Sequence, residues 1–141
     1  MTNEQLIEKA IEARELSCNI NNRHACASIT NFNVGVALLT KEGKVITGRN
    51  IEDPSGIGVN SVCAERVAII KALSEGYSNF EKIAVVGGAE ELVFTPPCGG
   101  CRQYLTSMAP DVKILTLDEK QNIKEFTLEE LLPYSFNEKF D

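Results

Sequence analysis

Three cysteines and a glutamate in two separate segments restrict this chain more than any other feature. Cys63-Ala64-Glu65-Arg66 lies well upstream of Pro97-Cys98-Gly99-Gly100-Cys101. Cys-x-x-Cys is a metal-ligand spacing, and the third cysteine brings another sulfur with an acid/base group two places on. If one ion takes all three sulfurs, the fold must bring two distant parts of the chain to one point. A structural zinc takes four protein ligands and closes its shell, whereas a catalytic one keeps three and leaves a position for water. This pattern offers three.

Local geometry favours the same grouping. Cys98 and Cys101 at a helix start would present both sulfurs on one side, where backbone N–H groups and the helix dipole favour thiolates. In mid-helix, Cys63 and Glu65 would point about 200° apart at 3.6 residues per turn, so they converge only in a half-formed first turn. Other readings stay open from spacing alone. Cys-x-x-Cys also fits a redox pair, and a closed structural site would recruit Cys18, Cys26 or His24, the single histidine. Taken singly, His24 reads as a turn residue, Cys18 and Cys26 as small buried hydrophobes, and Glu65 as a first-turn acid facing the helix dipole.

The 141 residues fit one domain, 1–141, large enough for a single core without staples. A formal charge of −6, with lysine and arginine scattered and no basic run, lacks the footprint of a nucleic-acid binder. Small-molecule chemistry fits better. No apolar run approaches the roughly 20 residues of a membrane span, and the first residues lack the pattern of a signal peptide, so the expected location is cytoplasmic. In that compartment five cysteines point to thiols and a metal over disulfides.

Thr2 and Gln5 form a capping-box pattern that opens a helix running to about residue 20, followed by a polar turn over Asn21–His24. Val34–Leu39 and Val45–Gly48 read as a hairpin across Lys41–Lys44. Asn50–Val62, rich in glycine and turn residues, reads as an irregular loop of the kind that holds binding residues. A helix begins near Cys63 and stops at Gly76, and Lys82–Val86 is a doubly buried strand. Pro97 precedes a helix from Gly99 to about Met108, Val112–Leu117 is a strand, and Asn122–Phe126 is a further short one. Thr127 and Glu130 form a second capping box before a brief last helix closed at Pro133. Strands alternating with helices imply partly parallel pairing and an α/β class.

Cys63-Ala64-Glu65-Arg66, Pro97-Cys98-Gly99-Gly100-Cys101-Arg102-Gln103, Phe32-Asn33-Val34-Gly35-Val36-Ala37-Leu38, Asn50-Ile51-Glu52 and Leu131-Leu132-Pro133-Tyr134-Ser135-Phe136 together resemble the motifs of the small zinc-dependent cytidine deaminases. The likeness spans nearly the whole chain. It implies a three-layer α/β/α fold around a mixed sheet of about five strands and a zinc held by Cys63, Cys98 and Cys101. It also implies Glu65 as the proton shuttle for hydrolytic deamination of a nucleoside. Asn50 and Glu52 match residues that bind ribose hydroxyls, and Phe32 matches an aromatic packed on the base. Arg66 matches a residue that donates to ligand sulfurs and offsets their charge. Phe136 matches one that reaches a neighbouring subunit, in a homotetramer with shared active sites.

The sequence departs from that family at two places. Ser28-Ile29-Thr30-Asn31 stands where Pro-Tyr-Ser is usual, and Asp53-Pro54-Ser55-Gly56 replaces an Asn-Ala-Ser-Tyr type of run. Neither touches the zinc chemistry, and both bear on substrate identity and subunit contacts. The expected activity is conversion of cytidine or deoxycytidine to the uridine form and ammonia. One alternative keeps the chemistry on a modified aminopyrimidine nucleoside, similar to the blasticidin S deaminases. Another is a non-catalytic zinc-stabilised domain that binds a nucleoside or a partner, a role in which Glu65 would have no use.

Overall fold

The computed structural model describes residues 1–19 and 31–137, without the side chains of 17–19. Cys18, Cys26, His24, the turn at 21–24 and the departure at 28–30 therefore lie outside the described residues. Thr2 N donates to Gln5 Oε1 at 2.8 Å and Gln5 N to Thr2 Oγ1 at 3.1 Å, the reciprocal bonds of a capping box, at the start of α1 (Asn3–Asn19). The hairpin follows as β1 (Asn33–Thr40) and β2 (Val45–Arg49). Next come α2 (Ala64–Ser74), β3 (Phe80–Gly88), α3 (Gly99–Met108), β4 (Lys113–Leu117), β5 (Ile123–Phe126) and α4 (Leu128–Leu131). Helix α2 ends in the two bonds of a Schellman motif, Tyr77 N to Ala72 O and Gly76 N to Leu73 O. Helix α4 opens with the second capping box, in which Thr127 and Glu130 bond reciprocally.

The strands form one mixed sheet in the order β2-β1-β3-β4-β5, with β3 and β4 parallel and the other neighbours antiparallel. Both faces of the central strands are apolar, as their near-continuous hydrophobic runs require. On one face Leu6, Ile7 and Ala10 of α1 bury Ala37, Leu39, Ala84, Val86 and Leu115. On the other, Ala64, Ala68, Ile69 and Ala72 of α2, with Leu105 of α3 and Leu128 of α4, bury Val36, Leu38, Ile83, Val85 and Ile114. The result is the three-layer α/β/α architecture that the sequence motifs implied.

Two glycines set how closely the outer layers approach. A Cβ at Gly35 would run into the Ala10 carbonyl oxygen and the Arg14 backbone nitrogen of α1. On the opposite face, one at Gly48 would lie 2.6 Å from Ala64 O and 2.8 Å from Ala68 N of α2. Helix backbones thus rest directly on strand backbones where a side chain would hold them apart.

The layer arrangement also places two helix starts together. Strands β2 and β3 each pair antiparallel with β1, so they point the same way. Helix α2 follows β2 and helix α3 follows β3, both on the same face, and their N-termini meet beyond the carboxyl ends of the strands. The segment from Asn50 to Val62 is less irregular than its composition suggests. Ile51 and Val62 exchange backbone bonds of 2.9 and 2.8 Å, which close it into a loop carrying a short 3₁₀ turn at Gly58–Asn60.

Gly35→Ala should destabilise the protein by about 3 kcal/mol, the upper part of the range for overpacking, because backbone atoms of α1 must move. Urea denaturation measures this. An unchanged midpoint would show that α1 does not rest on β1 at this point.

Candidate functional site

Cys63 is the N-cap of α2 and Cys98 the N-cap of α3, both with extended backbone and neither using its side chain as a cap. Cys101 is the third residue of α3 and is buried. The sulfurs of Cys63, Cys98 and Cys101 all lie within 4.8 Å of one another. Tetrahedral zinc with bonds of about 2.3 Å sets its sulfurs roughly 3.8 Å apart, so the cluster fits that ion with small adjustments. Three soft sulfurs at two helix N-termini form a donor set suited to zinc.

The electrostatics of the cluster point the same way. Cys63 accepts a hydrogen bond from the Cys101 thiol, which with lesser help from Cys98 and the Arg66 charge brings its pKa from 9.0 down to about 6 against the effect of burial. Cys101, donating that bond and buried, is pushed up. One sulfur of the cluster is therefore already a thiolate near neutrality, the form a metal takes.

Glu65 occupies the second position of α2 and is only 4% exposed. Burial raises its carboxyl from 4.5 to about 7, and the adjacent Cys63 thiolate pushes in the same direction. With Cys63 outside the helix as N-cap, the large angle that would separate the pair in mid-helix does not arise, and carboxyl and sulfur border one cavity.

That cavity has a volume of about 740 Å³ and is lined by Phe32, Val34, Asn50, Glu52, Gly58, Ser61, Val62, Cys63, Ala64, Glu65, Arg66, Phe94, Thr95, Pro96 and Cys98. The volume lies within the usual range for small-molecule sites. Phe32, Asn50, Glu52, Cys63, Glu65, Arg66 and Cys98, singled out from sequence, border this one space, and Cys101 lies behind its wall in the sulfur cluster. Phe136 does not line it. It is 64% exposed, and its carbonyl accepts a bond of 2.6 Å from Gln103 Nε2.

Two residues carry more than the sequence suggested. The Asn50 amide accepts from Val34 N and donates to Phe32 O, each at 2.9 Å, so it ties the start of β1 to the loop. A second N–H and a second lone pair remain for other partners. The Arg66 guanidinium lies over the Tyr104 ring, 5.4 Å from its centre, and its charge favours the Cys63 thiolate. Phe94, Thr95 and Pro96 were missed altogether. Thr95 Oγ1 donates to Gly87 O and Val93 O, and Thr95 O accepts from the buried Thr116. A Thr-Pro-Pro run before Cys98 reads only as a break in periodicity, although two residues without N–H groups suit an extended wall that pairs with no strand.

The model for the cytidine and deoxycytidylate deaminase zinc-binding region matches residues 3–116. The chain belongs to the cytidine and deoxycytidylate deaminase family. A cytidine deaminase of Halalkalibacterium halodurans is 42% identical over 137 residues, 96% of this chain and 95% of that protein. The crystal structure of a cytidine deaminase from Burkholderia pseudomallei superposes with a TM-score of 0.81 at 36% identity, covering 96% of this chain and all of that one. A blasticidin-S deaminase of Bacillus cereus is 31% identical over 138 residues, 94% of this chain and 90% of that protein. Membership in this family makes zinc the cofactor and agrees with the observed sulfur cluster. Among the described residues no helix is long and apolar enough to cross a membrane.

In the metal-free protein, the Cys63 contribution to stability is complete above 9.0 and is lost as pH falls through about 6. Glu65 acts oppositely, its contribution being whole below 4.5 and lost as pH rises through about 7. Iodoacetamide labelling of the metal-free protein, mapped by peptide, should therefore modify Cys63 with a midpoint near pH 6, and zinc should suppress it. A midpoint near that of an ordinary thiol would contradict the sulfur geometry.

Proposed function

We propose that this chain hydrolyses the exocyclic amine of cytidine or deoxycytidine, consuming one water and releasing ammonia with uridine or deoxyuridine. The observation that carries this reading is the buried Glu65 carboxyl beside three clustered thiols, on the wall of a cavity of small-molecule size. A pure binding domain has no use for a carboxyl held this way. Cys63, Cys98 and Cys101 would hold the zinc, which when bound supplies a Lewis acid that makes water acidic enough to ionise near neutral pH.

Glu65 then does the proton work. Its carboxylate takes the proton that water gives up, returns it to the ring nitrogen as C4 is attacked, then takes the proton left on the hydroxyl added at C4 and delivers it to the departing amine. Burial serves this because a carboxyl with a raised proton affinity both accepts and donates near neutral pH. Three thiolates around a zinc ion would leave one net negative charge, which the Arg66 charge, already favouring the Cys63 thiolate, would offset. Phe32 supplies a face for the base. Asn50 and Glu52, farther along the wall, take the ribose hydroxyls.

The family likeness further supports a single domain over 1–141 that works in the cytoplasm as a homotetramer, with Phe136 reaching a neighbour's pocket. Its exposed ring suits that role. A modified aminopyrimidine nucleoside is the second reading, favoured by the loop that closes at Ile51 and Val62. There Asp53 accepts from Ser55 N and Asn60 Nδ2, at 2.8 Å each, and donates through its own N to Ser61 Oγ at 3.0 Å. This self-bonded loop sets Gly58 and Ser61, with no aromatic ring, at the cavity wall.

Glu65→Gln should keep its zinc and fold while kcat for cytidine falls about 10²–10⁴-fold, followed by ultraviolet absorbance. Near-normal turnover would remove Glu65 from the chemistry. Glu52→Ala should weaken kcat/KM for cytidine roughly 10–100-fold, the worth of a hydrogen bond to a charged group, and leave the free base cytosine little changed. Equal losses for both substrates would mean that Glu52 only shapes the loop. Asn50→Ala is the less clean probe because it also releases the start of β1.

A further inference from the structure

Arg102 follows the last cysteine of the cluster and makes two bonds that no part of the proposed chemistry uses. Its Nε donates to Pro97 O at 2.7 Å, and its Nη1 donates to Leu131 O at 2.7 Å. Pro97 immediately precedes Cys98, and Leu131 is the last residue of α4. Both acceptors lack a helical partner, one because it stands before the N-cap and the other because it closes a helix. A rigid guanidinium donating from two of its nitrogens spans them, and the short ammonium of a lysine has no such reach.

The placement is unfavourable for a cation on other grounds. Arg102 lies in the first turn of α3, where the helix dipole opposes positive charge. The two carbonyls outweigh that opposition locally, and the Leu131 end of α4 carries the partial negative charge that attracts it. A second bond runs parallel to the first, since Gln103 donates to Phe136 O at 2.6 Å. The turn that carries Cys98 and Cys101 is thus fastened to the C-terminal part of the chain, and not only to its own helix.

We infer that Arg102 is a positioning residue for the zinc site, holding the Pro97–Cys98 turn against α4 so that retention of the metal depends on α4 being folded. The inference rests on the reading that Cys63, Cys98 and Cys101 hold zinc and is independent of the substrate. Helix α4 is a single turn opened by its capping box and packed on the core through Leu128 and Leu131, so loss of the Thr127 hydroxyl loosens Leu131 without touching the site.

The test measures the rate at which the zinc-loaded protein gives up zinc to a chromogenic chelator. It uses the parent, Arg102→Ala, Arg102→Lys, Thr127→Ala and the Arg102→Ala/Thr127→Ala pair. Arg102→Ala should release zinc about 10-fold faster, the lower end of the effect of losing an outer partner of a metal ligand, because its bond is to the residue before Cys98 and not to the sulfur. Arg102→Lys should fall between, with KM for cytidine unchanged. Thr127→Ala should speed release several-fold in the parent and have no further effect once Arg102 is gone. A merely structural arginine would give independent effects that multiply. If the two substitutions multiply, or Arg102→Ala releases zinc at the parental rate, the inference is overturned. Should Arg102→Ala fail to fold, a parental rate in Arg102→Lys and in Thr127→Ala would overturn it equally. A parent that binds no zinc would overturn the ligand assignment itself, and this inference with it.

Discussion

The antiparallel pairing of β1 with both β2 and β3 governs where chemistry can occur in this molecule. It makes β2 and β3 point one way, so the chain leaves the sheet twice at the same end and begins a helix each time on the same face. Two helix N-termini brought together concentrate unpaired N–H groups and the positive ends of two dipoles. Neither Cys63 nor Cys98 uses its sulfur as an ordinary cap, so both sulfurs stay available to a metal at those ends. The metal cluster is therefore a consequence of strand order, realised by residues that sit where the helices start.

Burial then separates the roles of neighbouring groups. Cys63 and Glu65 lie within one turn, yet the thiol is brought down to about 6 and the carboxyl up to about 7. The difference has a physical origin. At Cys63 the hydrogen bond from the Cys101 thiol outweighs the loss of solvation, whereas at Glu65 the loss of solvation outweighs the bonds from its own backbone and from Cys101.

The outer wall of the cavity follows a different logic. Asn50 holds backbone on both sides of Asn33, and the Asp53 side chain bonds within its own loop, so this wall is built from polar side chains that tie down chain segments. Thr95 performs the same task for the segment between Gly87 and Cys98. Such walls can change in sequence without disturbing the sheet, because the bonds that hold them are local.

Much of this was legible before any coordinates. The capping boxes at Thr2 and Thr127, the stop at Gly76, and the strands and helices from Asn33 to Leu131 follow from local chemistry, where a residue and its partners lie within a few positions. Cys63, Glu65, Cys98 and Cys101 were legible for a similar reason, since metal and acid/base chemistry admits few residue types at few spacings. Tertiary structure decided what depends on distant partners. It turned Asn50 into a tie between β1 and the loop, laid Arg66 over Tyr104, brought Thr95 and Phe94 to the cavity, and ran Arg102 from Pro97 to Leu131. Those roles have no spacing or periodicity to betray them, because a hydrogen bond to a backbone carbonyl far along the chain leaves no mark on the identity of the residue that supplies it.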